Sequence, residues 1–104
     1  MQTRELITEY YGSWLANNRQ KARSLLADDL VFRSPKDNFD NADAFMETCW
    51  KLAENFNSMD IEHLVCADDA AYIVYRGDGF CCGELLKIAD GKICAVYVTF
   101  DPTR

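Results

Sequence analysis

Basic clusters, paired metal-ligand motifs and long apolar runs are all missing from this chain, and each absence removes a class of function. The 11 Lys and Arg residues are scattered from Arg4 to Arg104 without a run, against 17 Asp and Glu, for a formal charge of −6. A phosphate backbone needs clustered cations, so no nucleic acid is expected as a partner. No apolar stretch nears the roughly 20 residues of a membrane-spanning helix. The opening residues, Met1 to Glu5, carry no signal-peptide hydrophobic region, so the expectation is a cytoplasmic protein with no membrane role. Histidine occurs once, at His63, and the five cysteines (Cys49, Cys66, Cys81, Cys82, Cys94) contain no C-x-x-C pair. Structural zinc draws four ligands from paired Cys/His motifs, and adjacent Cys81 and Cys82 point to opposite faces of a strand. The sequence therefore calls for no metal and no cofactor, and for free thiols in a reducing cytosol.

What is present is an ordinary globular balance. Of 104 residues, 49% are hydrophobic and 27% charged, enough for one modest core in a single domain spanning 1–104. A domain this small buries a limited share of its surface, and homodimerisation would cover more of it. No internal repeat, linker or low-complexity stretch interrupts the chain.

Periodicity divides the sequence in two. From Thr3 to Asn17 apolar residues recur as Leu6/Ile7, Tyr10/Tyr11 and Trp14/Leu15, a helical stripe with Thr3 as candidate N-cap. A shorter helix is predicted over Arg19 to Ala27, then a strand from Leu30 to Ser34 closed by Pro35. Lys36 to Asn41 reads as a polar loop, with Asp40 or Asn41 capping a third helix that runs to about Phe56. After Asn57-Ser58 the period changes to two. Strands are predicted at Asp60 to Cys66, Ala71 to Arg76, Phe80 to Ile88 and Lys92 to Phe100, and Pro102 stops the last. Their turns, Ala67-Asp68-Asp69, Gly77-Asp78-Gly79 and Asp90-Gly91, carry the Asp and Gly chemistry that hairpins favour. Helices first and consecutive hairpins afterwards give an α+β fold, helices packed on one face of a mainly antiparallel sheet.

Three stretches carry a family resemblance: Tyr10-Tyr11 followed by ARSLLADDLVFRSP (Ala22 to Pro35), NADAFMETCW (Asn41 to Trp50), and LLKIADGKICAVYVTFDP (Leu85 to Pro102). Together they resemble the nuclear transport factor two-like, or SnoaL-like, superfamily over nearly the whole chain. The resemblance implies three helices cupped against a curved sheet, a cystatin-like roll around an apolar pocket, with pairing through the outer sheet face. Against the ketosteroid isomerase branch, Tyr10 matches the tyrosine and Glu84 falls near the acid of the oxyanion site. Ser34 occupies the position of the base. Serine cannot remove an α-proton at neutral pH without an activator, so this match lacks its base. Against the limonene epoxide hydrolase branch, Arg76-Gly77-Asp78 has the Arg-x-Asp spacing, but Val98 stands where the third residue belongs.

Strand alternation then orients the pocket. With Glu84 inward, Phe80, Cys82, Leu86 and Ile88 face inward too, as do Val96, Val98 and Phe100 on the final strand. Cys81, Gly83, Leu85 and Lys87 face outward, with Ala95, Tyr97 and Thr99. A lone carboxyl among such residues is desolvated, its pKa raised, and suited to proton donation near neutrality. The competing arrangement places Glu84 in water or paired with Arg33, Arg76 or Lys87. Tyr10 is a hydroxyl donor or a core residue with a wet tip. Trp14 and Trp50 are pocket wall or core. Ser34 either orients a ligand or simply ends its strand, and His63 either contacts a ligand or faces solvent. Asp37 and Asp40 at the loop rim are candidate displaced bases that turn and capping roles also explain. The sequence thus points to a homodimeric pocket protein for a small apolar molecule. Its catalytic candidates are Glu84 and Tyr10, and its ligand contacts Trp14, Ser34, Trp50, His63, Cys82, Val98 and Phe100. An acid/base isomerase or cyclase and a non-catalytic interaction module are the alternatives.

Overall fold

The computed structural model describes residues 2–55, 59–77 and 79–101. Helix α1 spans Thr3–Leu15 and buries Leu6, Ile7, Tyr10, Tyr11 and Trp14 of the stripe read from the sequence, while its last member, Leu15, is exposed at the helix end. Thr3 is not its cap. Gln2 holds that position, while Thr3 Oγ1 donates to the Asp68 carbonyl at 3.0 Å and ties the helix to a distant turn. Asn17 ends the turn after α1 with a positive φ of 55°, a conformation asparagine tolerates. Asn18 then caps α2, Arg19–Ser24, by accepting from the Lys21 amide.

Helix α2 stops three residues earlier than its apolar spacing predicts. Leu26 leaves the helix to start strand β1, Leu26–Arg33, pairing with Ile93, and the Ile93 amide donates to the Leu25 carbonyl at 3.0 Å. Ala22, Leu25 and Leu26 fit a helical stripe equally well, but Ala22 stays in α2 while Ile93 on β6 takes up the backbone at Leu25 and Leu26. Asp28 and Asp29 therefore lie inside β1, where a register shift between Leu26 and Val31 lets both stay exposed. Arg23 braces this junction, donating to Asp28 at 2.7 Å and to Asp43 at 2.8 Å.

The predicted loop after Pro35 contains a two-residue strand, β2 (Asn38–Phe39), antiparallel to the end of β1. Arg33 holds it by donating to the Phe39 carbonyl and to Asp40. Asn41 caps α3, Ala42–Cys49, accepting from the Ala44 amide at 2.7 Å. The helix is shorter than predicted and tightens into a 3₁₀ turn over Trp50–Asn55. The predicted end at Phe56, the Asn57-Ser58 break, Asp78 and Pro102 lie outside the described residues.

Strands β3 (Asp60–Cys66), β4 (Ala70–Gly77), β5 (Phe80–Ala89) and β6 (Lys92–Asp101) follow as hairpins within a residue of their predicted bounds. The β5–β6 turn places Asp90 and Gly91 at φ 53° and 73°, the paired positive angles of a type I′ turn. The sheet order is β2-β1-β6-β5-β4-β3, antiparallel except where β1 runs parallel to β6. β6 carries one bulge: Lys87 pairs with Ala95 but Ile88 with Ile93, so Cys94 is the extra residue, and Ile93 and Val96 are both buried although the two residues between them would put them on opposite faces of a regular strand. The core between helices and sheet is centred on Ile7, Leu30, Ile73, Leu86 and Ile93, all fully buried. No helix among the described residues is long and apolar enough to cross a membrane.

Candidate functional site

A cavity of about 620 Å³ lies between α1, α3 and the concave face of the sheet. Helix α1 contributes Tyr10, Tyr11 and Trp14, and α3 contributes Phe45 and Cys49. From the sheet come Phe32, Tyr75, Phe80, Cys82, Glu84 and Val98. The exposed lining residues Lys36, Gly79 and Phe100 mark its mouth. The wall is aromatic and sulfur-bearing, and among the described lining residues Glu84 is the one carboxyl.

Glu84 sits mid-strand on β5 with only 8% of its surface exposed. Alternation fixes its face: Cys82 and Leu86 on either side are buried with it. The Tyr11 hydroxyl donates to Oε1 at 2.7 Å and the Tyr75 hydroxyl donates to Oε2. Tyr75 reaches it across the sheet because β4 pairs Ile73 with Glu84, which makes Tyr75 the diagonal neighbour on the same face. Arg33, Arg76 and Lys87, the cations named above as alternative partners of Glu84, are elsewhere. Arg33 binds Asp40 at 2.8 Å, Arg76 binds Glu62 at 3.1 Å, and Lys87 is exposed on the outer face.

Burial pushes the Glu84 carboxyl above the usual carboxylate range, and the hydroxyls of Tyr75 and Tyr11 pull it partly back. Burial, with Glu84 next in effect, raises all three tyrosines, Tyr10, Tyr11 and Tyr75. Burial likewise pushes the Cys49 and Cys82 thiols up to about 11. Near neutral pH these phenols and thiols are uncharged donors.

Proton counting shows what the Tyr11–Glu84–Tyr75 trio can do. As a carboxylate, Glu84 takes one hydroxyl proton on each oxygen and both contacts are filled. As a neutral acid it brings a third proton to two contacts, so one proton is left to donate into the cavity. The trio is an acceptor site in one state and a donor site in the other.

The sequence-derived candidates divide. Tyr10, Trp14, Cys82, Glu84, Val98 and Phe100 line the cavity, whereas Ser34, Trp50 and His63 are not among its lining residues. Ser34 is spent on the turn, its Oγ accepting from the Asp37 amide at 2.9 Å and donating to the Asp37 carbonyl. Trp50 is packed behind the wall, its ring 4.6 Å from that of Trp14. His63 is exposed on β3, an edge strand. Tyr10 lines the cavity, but the hydroxyl on Glu84 belongs to Tyr11. Asp37 and Asp40 are exposed and do not line the cavity. Arg76 is half exposed and paired with Glu62 rather than directed at the site.

Sequence reasoning missed Tyr11, Tyr75 and Lys36. Tyr75 was accessible: the hairpin that pairs Gly77 with Phe80 necessarily pairs Tyr75 with Cys82, and so shares its face. Tyr11 was not, because Tyr10 and Tyr11 share one buried stripe and only the helix's rotation against the sheet decides which hydroxyl meets β5.

No family model and no curated protein matches the sequence. Solved structures do match in shape. An NTF2-like protein of unknown function from Cytophaga hutchinsonii is 18% identical with a TM-score of 0.82, over 99% of this chain and 93% of that one. A SnoaL-like protein of unknown function from Burkholderia thailandensis is 15% identical with a TM-score of 0.80, over 94% and 92%. A steroid delta-isomerase from Pseudomonas aeruginosa is 17% identical with a TM-score of 0.78, over 94% and 78%. Identities this low establish architecture and leave activity open. The chain has the nuclear transport factor two-like, SnoaL-like fold, an α+β roll of three helices on a curved and mainly antiparallel sheet.

Proposed function

We propose that this protein binds a small, largely apolar molecule in the cavity, with Glu84 as its buried polar handle. One observation carries the reading: a hollow of about 620 Å³, walled by aromatic and thiol side chains, converges on a single hydrogen-bonded carboxyl. Ligand sites have this size and this pattern of apolar walls with a few placed polar groups. An isomerase or cyclase needs a base that reaches the same substrate as its acid. Among the described lining residues there is no second carboxyl and no imidazole, so binding is favoured over catalysis. The free cysteines suit a reducing compartment, and the cytoplasm is the proposed location.

Trp14 lines the cavity and reports on it. Titration with 2-ethylnaphthalene or biphenyl should produce a saturable change in tryptophan emission, with dissociation constants on the order of micromolar. A flat emission signal and no calorimetric heat across both compounds overturns the reading.

Pairing through the outer sheet face belongs to the same proposal. The pairing registers Val65↔Tyr72, Tyr72↔Leu85 and Leu85↔Tyr97 align four exposed side chains in one row across four strands. Their exposures, 66%, 43%, 37% and 44%, leave an apolar band in water that a second copy would cover. Sedimentation should give a dimer for the wild type and a monomer for Leu85→Lys. A wild-type monomer at high micromolar concentration refutes the pairing.

A further inference from the structure

We infer that the cavity's ligand is a hydrophobic amine, its ammonium seated against the Glu84 carboxylate and its apolar body held by the aromatic walls. This rests on the ligand-pocket reading above and names the class of molecule.

Two hydroxyl donors for two carboxyl oxygens is the complement of a carboxylate, and both contacts are present. Hydroxyls supply protons but no net charge. A buried carboxylate is ordinarily paired with a cation. Among the described residues Glu84 has no ion pair, and what acts on its carboxyl is burial and the Tyr75 and Tyr11 hydroxyls. Lys36 is exposed at the mouth, whereas the groups hydrogen-bonded to Glu84 are the Tyr11 and Tyr75 hydroxyls. The missing countercharge is therefore left for the ligand to bring.

The walls suit a cation as well. Around the carboxyl, the rings of Tyr10 and Tyr11 are 5.2 Å apart, those of Tyr11 and Tyr75 5.9 Å, and those of Tyr75 and Phe80 6.4 Å. These rings meet one another edge-on or tilted, and an aromatic face left open to the cavity attracts an ammonium group, most strongly where water is excluded. The chain's charge of −6 also concentrates cations near its surface. On binding, the ammonium keeps its protons. If Glu84 was neutral beforehand, its proton leaves to solvent and the two tyrosine hydroxyls remain donors to the resulting carboxylate.

Isothermal titration with a matched series tests this: 2-(2-naphthyl)ethylamine, 2-(2-naphthyl)ethanol, 2-ethylnaphthalene and 2-naphthylacetate. The amine should bind at least about tenfold tighter than the alcohol, and the carboxylate weakest, while Glu84→Gln should cut the amine's advantage to within about threefold. An amine no tighter than the alcohol overturns the inference and leaves the apolar pocket standing. So does an amine preference that survives Glu84→Gln. Should no member of the series bind, the pocket reading itself fails. Should Glu84→Gln not fold, the wild-type series decides alone.

Discussion

Wild-type stability should fall relative to Glu84→Gln as pH rises above the ordinary glutamate value of about 4.3. Burial raises the folded-state pKa of Glu84 above its ordinary value of about 4.3. A raised carboxyl contributes stability that is fully present below the unfolded value and is lost as pH climbs through the folded one. In that interval the native state holds a proton that the unfolded chain has released, so unfolding free energy drops by up to about 1.4 kcal/mol per pH unit. The glutamine variant has no such component. Its amide nitrogen cannot accept, so one of the Tyr11 and Tyr75 hydroxyls loses its acceptor, which adds a roughly constant cost. The other titratable groups facing Glu84 stay neutral across this window: Tyr10 and Tyr11 from α1, Cys49 from α3, Tyr75 from β4 and Cys82 from β5 are all shifted upward. Urea denaturation of both proteins at each pH measures the difference. A pH-independent difference puts the Glu84 side chain in water and removes the basis of the site.

Trp14→Ala should cost about 3–5 kcal/mol of folding stability, close to the whole margin of a small domain. Trp14 is 7% exposed and joins both helical parts of the core, its ring 4.6 Å from Trp50, 6.1 Å from Phe45 and 6.2 Å from Tyr10. Part of that ring already faces the cavity, so fewer contacts are lost than at a fully packed position, and the lower end of the range is expected. Trp14→Phe keeps an aromatic body there and should cost markedly less. Circular dichroism through a denaturant series gives both values. A loss below about 1 kcal/mol for the alanine variant would mean that the aromatic cluster is not part of the core.

The two predictions draw on different layers of information. Alternation put Glu84 on one face with Cys82 and Leu86 but left open whether that carboxyl meets the core or water, and the structure buries it. The bounds of β3 to β6 and the Asp90-Gly91 turn were legible because period and turn chemistry are properties of a few consecutive residues. The junction between α2 and β1 was not, since Leu25 and Leu26 suit either element and the decision came from Ile93, distant in sequence. Ser34 and His63 show the limit at the site. Their chemistry qualified them, but a local turn consumes the serine and an edge strand exposes the histidine.

By itself, the sequence determined the order of the three helices and of strands β3 to β6, and that Cys82, Glu84 and Leu86 share a face, because these depend on spacing along the chain. Only the tertiary structure decided that Tyr11 and Tyr75 are the hydroxyls on that carboxyl, that Trp50 stands behind the wall, and that the helices leave a hollow of about 620 Å³. Those facts depend on how far α1 is rotated and how closely it approaches the sheet, which is set by packing among residues far apart in sequence.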